Sequence, residues 1–474
     1  MASQLNPVTV SAPGKILLAG GYLVLEAPHQ GFVIAADKRF YTNIRISESK
    51  GAAKDTVITV VSPQFHLEWK YSYSTETGTL VADLDNATTN PFVEKSLRVS
   101  FFYLHPTKEM LSSNLVITIY ADNDFYSVLP HLPKGPDGSS IDRTPAAVEA
   151  LPKFLKCPLD NDGKAIVNKT GLGSSAALTT SLVGALVYFF TNNNESKDED
   201  LPEKIHNLAQ ICHSYAQGKV GSGFDVSAAC HGTHVYCRFP KCLLPDLLQQ
   251  LEDVDQHTDH NTQNLQDTLT RLVELVPWKE GMVQEITLPK GQLQILLADV
   301  RGGSESPSMA RTVLNWKAQH PGSDIPHWTA LSQLNAKVVE LIRGLSSSPI
   351  ASEEYDKLSK LVASDWPAES PLLELHRTFM EIRTDLREMG EAAGVPIEPP
   401  PQTALCDATM KIPGVITALV PGAGGYDAVA CLYIDRPSVL ESIGKLWAEW
   451  KEPIICPLAV RATNGGLQLE KQET

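Results

Sequence analysis

Lysine, glycine and serine stand together in the run Lys169-Thr170-Gly171-Leu172-Gly173-Ser174-Ser175-Ala176-Ala177, followed by an apolar segment that reaches Phe190. Without a Cβ, Gly171 and Gly173 let the backbone bend tightly and present successive N–H groups. Ser174 or Ser175 can cap the helix that the apolar segment predicts. The first N–H groups of such a helix lack partners and sit at the positive end of its dipole, so an anion is their natural partner. A glycine-serine turn is also an ordinary helix start. The paired serines, and a lysine two residues before Gly171, raise the phosphate reading beside it.

Other nucleotide-binding turns are excluded by detail. Residues 171–176 fit G-x-G-x-x-A, but no acidic residue closes a second strand about 20 residues on, as a dinucleotide site requires. Neither Gly14-Lys15-Ile16 nor Gly218-Lys219-Val220 supplies a Walker sequence, and no G-x-S-x-G elbow occurs. Three more loops carry suggestive residues. Ser11-Ala12-Pro13-Gly14-Lys15 interrupts an apolar strand and leaves Lys15 as a lone cation, whose ordinary reading is a buried stem with a solvated amine. Gly218-Lys219-Val220-Gly221-Ser222-Gly223-Phe224 leads to Asp225 at a helix start, where an aspartate is also a plain cap. Pro421-Gly422-Ala423-Gly424-Gly425-Tyr426 joins two strands with more glycine than a hairpin needs.

These loops need a scaffold, and 474 residues are enough for two or three domains. Apolar content of 43% predicts packed cores. A net charge of -15 argues against a nucleic-acid surface spread over the whole chain, so an anionic ligand requires local positive charge. Eight scattered cysteines without a C-x-x-C pair, and no signal-like N-terminus, point to reduced thiols and a cytoplasmic protein. The apolar run 176–190 is too short to span a bilayer, so no membrane partner is expected. Cys230, His231, His234, Cys237 and Cys242 could tempt a zinc assignment, but strand alternation sends His234 and Cys237 to opposite faces.

Strands are predicted at residues 8–12, 16–25, 32–36, 39–46, 57–61 and 115–120, with helices at 91–104 and 201–217. Residues 130–162 read as a surface insertion. Residues 249–267 are polar and predicted irregular, which divides the chain into domains 1–248 and 291–474 joined by 249–290. Strands at 292–300, 415–420, 428–434 and 454–460, with helices between them, predict a ferredoxin-like β-α-β-β-α-β order with inserted helices. Leu372, Leu375, Phe379, Ile382, Leu386 and Met389 mark one packing face of a long helix.

Taken in order, Ala12 to Lys15, Thr170 to Ala177 and Gly422 to Gly425 resemble the three motifs of the GHMP kinases. The resemblance extends over essentially the whole chain. It implies an α+β, two-domain fold: an N-terminal ATP-binding domain like ribosomal protein S5 domain 2, and a C-terminal ferredoxin-like domain. Gly20-Gly21-Tyr22, Lys169-Thr170, residues 218–225 and Ser306-Pro307-Ser308-Met309 look most like the fungal-type phosphomevalonate kinases within that superfamily.

By that resemblance, residues 169–177 wrap the phosphates of ATP and Ser175 offers a hydroxyl to Mg2+. Asp225 corresponds to the catalytic aspartate and Lys15 to its partner. The implied acceptor, 5-phosphomevalonate, carries a phosphate that is already largely ionised at neutral pH. Asp225 is therefore expected to orient Lys15 and the acceptor more than to remove a proton. Repulsion between two phosphates calls for converging cations: Lys15 and Lys219 first, then Arg301 and Arg311, although Arg311 also suits a solvated helix face. Tyr22, Ser222 and Gly424 complete the expected acceptor contacts, and the chain is expected to be a monomer or weak homodimer. Mevalonate kinases place a metal-binding glutamate where the ungapped equivalent here is Ser214, beside His213, which leaves the second protein ligand of Mg2+ open. Mevalonate kinase is the nearest rival reading, and an inactive ligand-binding relative is another.

Overall fold

In the computed structural model, described residues are 5–49, 54–83, 89–135, 138, 140–191, 199–256, 262–278, 282–300, 306–320, 325, 327–426 and 428–471. Ten strands form the larger sheet: β1 (Val8–Ala19), β2 (Gln30–Ser49), β3 (Thr56–Ser62), β4 (Leu67–Ser74), β5 (Thr79–Ala82), β6 (Ser113–Ala121), β7 (His234–Cys237), β8 (Val283–Glu285) and two from the C-terminal end. Its main path runs β1-β2-β6-β3-β4-β5, and β7 joins β2 and β8. Where breaks were predicted at residues 13–15 and 37–38, both strands continue. Pro13 pairs with Arg39 and Lys15 with Ala35, so the register shift at Gly14 absorbs the irregularity as a bulge. The predicted strand 16–25 stops at Ala19, and residues 23–25 form a 3-10 turn.

The helices of this part are α1 (Pro91–Leu104), α2 (Pro145–Glu149), α3 (Ser174–Thr191), α4 (Leu201–Gln217), α5 (Phe224–His231), α6 (Pro245–Gln256) and α7 (Thr262–Thr270). Asn90 starts α1 by accepting from the Phe92 N–H at 3.0 Å, with Pro91 harmless in the first turn. The apolar helix α3 packs on β1 and β2 and is flanked by α1 and α4. Leu182, Leu186 and Phe189 are buried there, each contributing roughly 1.5–3 kcal/mol. That packing fixes where the Ser174 end of α3 points. The segment predicted irregular is helical in α6 and the start of α7. Leu247, Leu251, Leu265 and Leu269 recur at helical spacing and are buried, a signal that the polar composition concealed.

A second sheet contains β9 (Leu293–Val300), β10 (Val415–Leu419), β11 (Ala428–Ile434) and β12 (Ile455–Leu458) in the order β10-β11-β9-β12, all antiparallel. This is the predicted ferredoxin-like arrangement. Its helices are α8 (Ser306–Ala318), α9 (Trp328–Ser347), α10 (Ser352–Leu358), α11 (Pro371–Ala393), α12 (Pro400–Met410) and α13 (Pro437–Glu449). The face of α11 read from its leucines is buried, against α9 and β10.

The two sheets are joined by strand pairing and by a shared core. β13 (Ala462–Thr463) pairs with β2 and β14 (Gln468–Leu469) with β1, returning the tail to the first sheet. Arg39 fastens this return by donating to the Gly466 carbonyl at 2.5 Å. One apolar cluster also runs from Ile16 and Phe32 to Leu297 and Phe379, so the sheets share a core.

Candidate active site

The bulge in β1 sets Lys15. Its backbone N–H donates to the Leu172 carbonyl at 2.9 Å, and its Nζ donates to the Gly171 carbonyl at 2.7 Å. The first motif is thereby fastened to the second. Burial holds the Lys15 amine below the usual lysine range, and the Asp225 carboxylate opposes that shift. Gly171 and Gly173 have φ of +82° and +80°, the left-handed region that favours glycine. At Gly173 the space is also taken, because an added Cβ would meet Lys15 Cε at 3.0 Å.

Within the predicted ATP-binding run the structure separates roles. Thr170 is buried and its hydroxyl donates to the Asp124 carbonyl at 2.5 Å, while Leu172, Ala176 and Ala177 lie in the core. At the start of α3, Gly171 is exposed, Gly173 and Ser175 are half-buried and Ser174 is buried. Lys169 is exposed beside a cavity of about 230 Å³, which Ser174 and Ser175 also line together with Phe65, Trp69, Asn90, Phe92 and Tyr126. Four aromatic side chains, an amide and a lysine beside a helix N-terminus suit a planar base joined to phosphates.

On the other side of the same turn lies a cleft of about 1260 Å³, bordered by Lys15, Asp225, Lys219, Ser222, Tyr22 and Gly424. These predicted residues are brought together. Asp225 sits in the first turn of α5, after the N-cap Gly223, and its Oδ1 accepts from the N–H of its neighbour Val226 at 3.0 Å. Tyr22 spends its hydroxyl proton on the Ala423 carbonyl at 2.5 Å, and burial pushes its pKa up. It is a tie between the first and third glycine loops before it is a ligand contact. Gly424 (φ +80°) has no room for a side chain, since a Cβ would lie 2.2 Å from the Ile397 carbonyl oxygen. Arg311 on α8 also reaches the cleft and is exposed, whereas Arg301 lies outside the described residues.

Several site residues were not found from sequence. His213 rather than Ser214 faces the serine turn: its Nε2 is 3.1 Å from Ser175 Oγ and 3.9 Å from Asp225 Oδ2. Burial holds His213 below the usual histidine range, against the pull of Asp225. Ser214 is buried, and its carbonyl accepts the Lys219 N–H at 3.2 Å. Arg238 braces the loop before Asp225 by donating to the Val220 carbonyl at 3.2 Å, to the Gly221 carbonyl and to the Leu25 carbonyl. Only the helix register of His213 could have been read in advance; the Arg238 contacts cross three segments. The Cys/His cluster does not converge, because His234 donates from Nδ1 to the Gly232 carbonyl at 2.8 Å and accepts from Ser227 at 2.9 Å.

A hydroxyl at Ser175 and a carboxylate at Asp225, both near His213 Nε2, form an oxygen donor set that fits Mg2+. One helix start at a glycine turn, one half-buried lysine, one aspartate and two cavities meeting at the turn suit phosphoryl transfer. This fold is that of the GHMP kinase class. Residues 146–233 match the model of that family's N-terminal domain. Over 98% of its length the chain is 33% identical to a peroxisomal phosphomevalonate kinase of Arabidopsis thaliana, covering 96% of that protein. It is 35% identical to the phosphomevalonate kinase of Aspergillus fumigatus, over 93% of this chain and 90% of that one. The structure of Streptococcus pneumoniae phosphomevalonate kinase in complex with phosphomevalonate and AMPPNP shares the fold: TM-score 0.57, 15% identity, coverage of 96% and 100%. The chain belongs to the phosphomevalonate kinase family.

Proposed function

We infer that this chain transfers the γ-phosphoryl group of ATP to the phosphate of (R)-5-phosphomevalonate, giving (R)-5-diphosphomevalonate and ADP. The observation that carries this reading is the cleft beside the α3 turn, where Lys15 and Asp225 face each other and further cations gather. The base enters the aromatic cavity near Trp69 and Phe92, which aims the phosphates along the backbone N–H groups of residues 171–175. Lys15, held by the Gly171 carbonyl, supplies fixed positive charge where the transferred group crosses into the cleft. Asp225 orients that amine and the acceptor.

Lys219, before α5, and Arg311, on α8, line the same cleft and hold the acceptor phosphate against repulsion from ATP. Ser175 and Asp225 would hold Mg2+, which neutralises phosphate charge when bound. A mevalonate kinase would need the same cradle but no extra cations for an acceptor phosphate. A coupled ADP-release assay with each acceptor separates the two readings. Turnover with phosphomevalonate and none with mevalonate is expected; the reverse would overturn the assignment.

A further inference from the structure

Tyr236 lies in β7 and Arg238 just past its end, two residues apart, a spacing that sends side chains to one face of a strand. Both are buried, and both reach the loop that leads to Asp225. Tyr236 donates its hydroxyl to the Ser222 carbonyl at 2.5 Å, and Arg238 donates to the Val220 carbonyl at 3.2 Å and to the Gly221 carbonyl. Three consecutive carbonyls are thereby turned toward buried donors. In a planar trans peptide the N–H points opposite to the C=O, so the N–H groups of Gly221, Ser222 and Gly223 face the other way. None of these N–H groups has a hydrogen-bond partner among the described residues. Gly223 (φ +83°) permits the close approach, since a Cβ there would lie 2.5 Å from Phe239 Cε1 and 3.0 Å from the Tyr236 hydroxyl oxygen.

We propose that Tyr236 and Arg238 are positioning residues that set the polarity of the acceptor loop. With the carbonyls of residues 220–222 engaged by buried donors, the loop shows the cleft N–H groups between Lys219 and Asp225. Carbonyl oxygens turned to the cleft would repel an acceptor phosphate, whereas successive N–H groups beside a lysine receive it. The shape of the guanidinium matters here beyond its charge, because one nitrogen of the fork serves Val220 and Gly221 while another serves Leu25. A lysine amine cannot span that set. This rests on the proposed function in taking the cleft as the acceptor site.

Two measurements on the full chain test it. In protein labelled with 15N-serine, the Ser222 amide signal, assigned by its absence in Ser222→Ala, should shift on adding phosphomevalonate and also on adding inorganic phosphate. In Tyr236→Phe and Arg238→Lys both shifts should be largely lost. In steady-state assays, Arg238→Lys, which keeps the charge but not the fork, should raise KM for phosphomevalonate about tenfold and Tyr236→Phe about fivefold, with KM for ATP within about twofold of the wild type. A Ser222 amide indifferent to both anions, KM values that rise alike for ATP and acceptor, or an unchanged acceptor KM in Arg238→Lys overturns the proposal. If Arg238→Lys does not fold, Tyr236→Phe, which removes a single oxygen, decides alone. If phosphomevalonate is neither bound nor phosphorylated, but inorganic phosphate moves the Ser222 amide in the wild type and not in the variants, the loop's polarity stands and the acceptor assignment fails instead.

Discussion

Burial is what makes Lys15 unlike a surface lysine. It lowers the pKa from 10.5, and the Asp225 charge pulls the other way. The protonated amine is the useful form, so the alkaline limb of kcat/KM should fall below pH 10.5. Asp225→Asn removes the negative charge that raises the Lys15 pKa, and the limb in its residual activity should move to still lower pH. A limb that moves upward would contradict this arrangement of charge. Gly173→Ala should lower kcat by about tenfold or more while folding persists, because the added methyl strains the turn and presses on Lys15. Steady-state kinetics beside a melting curve would show the split. At this scale Lys15, Asp225 and the serines were legible because each sits in a short local motif. His213 and Arg238 were not, because their roles come from partners on other elements, 38 residues away for His213 and Ser175.

The elements obeyed local rules where one rule dominated. Asn90-Pro91 began a helix, and the α11 leucine stripe was buried as spaced. Failures came where two signals competed: polar composition hid the leucines of α6 and α7, and a bulge at Gly14 looked like a strand end. The join between β7 and α5 offers a pH test. Burial lowers His234 to about 4, against 6.5 in the unfolded chain. Between those values the unfolded state binds the extra proton, so stability should fall as pH drops from 6.5 toward 4. Urea midpoints should show this loss, and His234→Asn should reduce its slope. The third glycine loop gives a second test at this scale. In Gly424→Ala the methyl meets backbone at Ile397, which cannot yield as a flexible side chain would. A loss of about 2 kcal/mol or more is expected in denaturant unfolding.

Across the whole molecule, the predicted α+β fold is present, and the C-terminal tail pairs back onto the first sheet. Two-residue strands at 462–463 and 468–469 carry no periodicity, so nothing local announces that the tail rejoins the first sheet. Contacts also cross at the cleft mouth. Glu26, after the first motif, bonds Lys317 on α8 and lies 3.7 Å from Lys241. Burial raises the Glu26 pKa, but the Lys317 hydrogen bond and the two lysine charges outweigh it and hold the carboxyl below its usual range. Glu26→Gln should therefore destabilise the fold by about 1 kcal/mol and weaken acceptor binding, since it loosens the wall that carries Arg311. Unfolding curves and acceptor titration would measure both.

In the proposed reaction, phosphoryl passes to a phosphate. Phosphorus NMR of the enzyme with MgATP and 5-phosphomevalonate reads this directly. The acceptor's single phosphomonoester signal should give way to two coupled diphosphate signals as ADP forms, and Asp225→Ala should slow the conversion severely. An acceptor signal that stays a single phosphomonoester would contradict phosphoryl transfer to a phosphate.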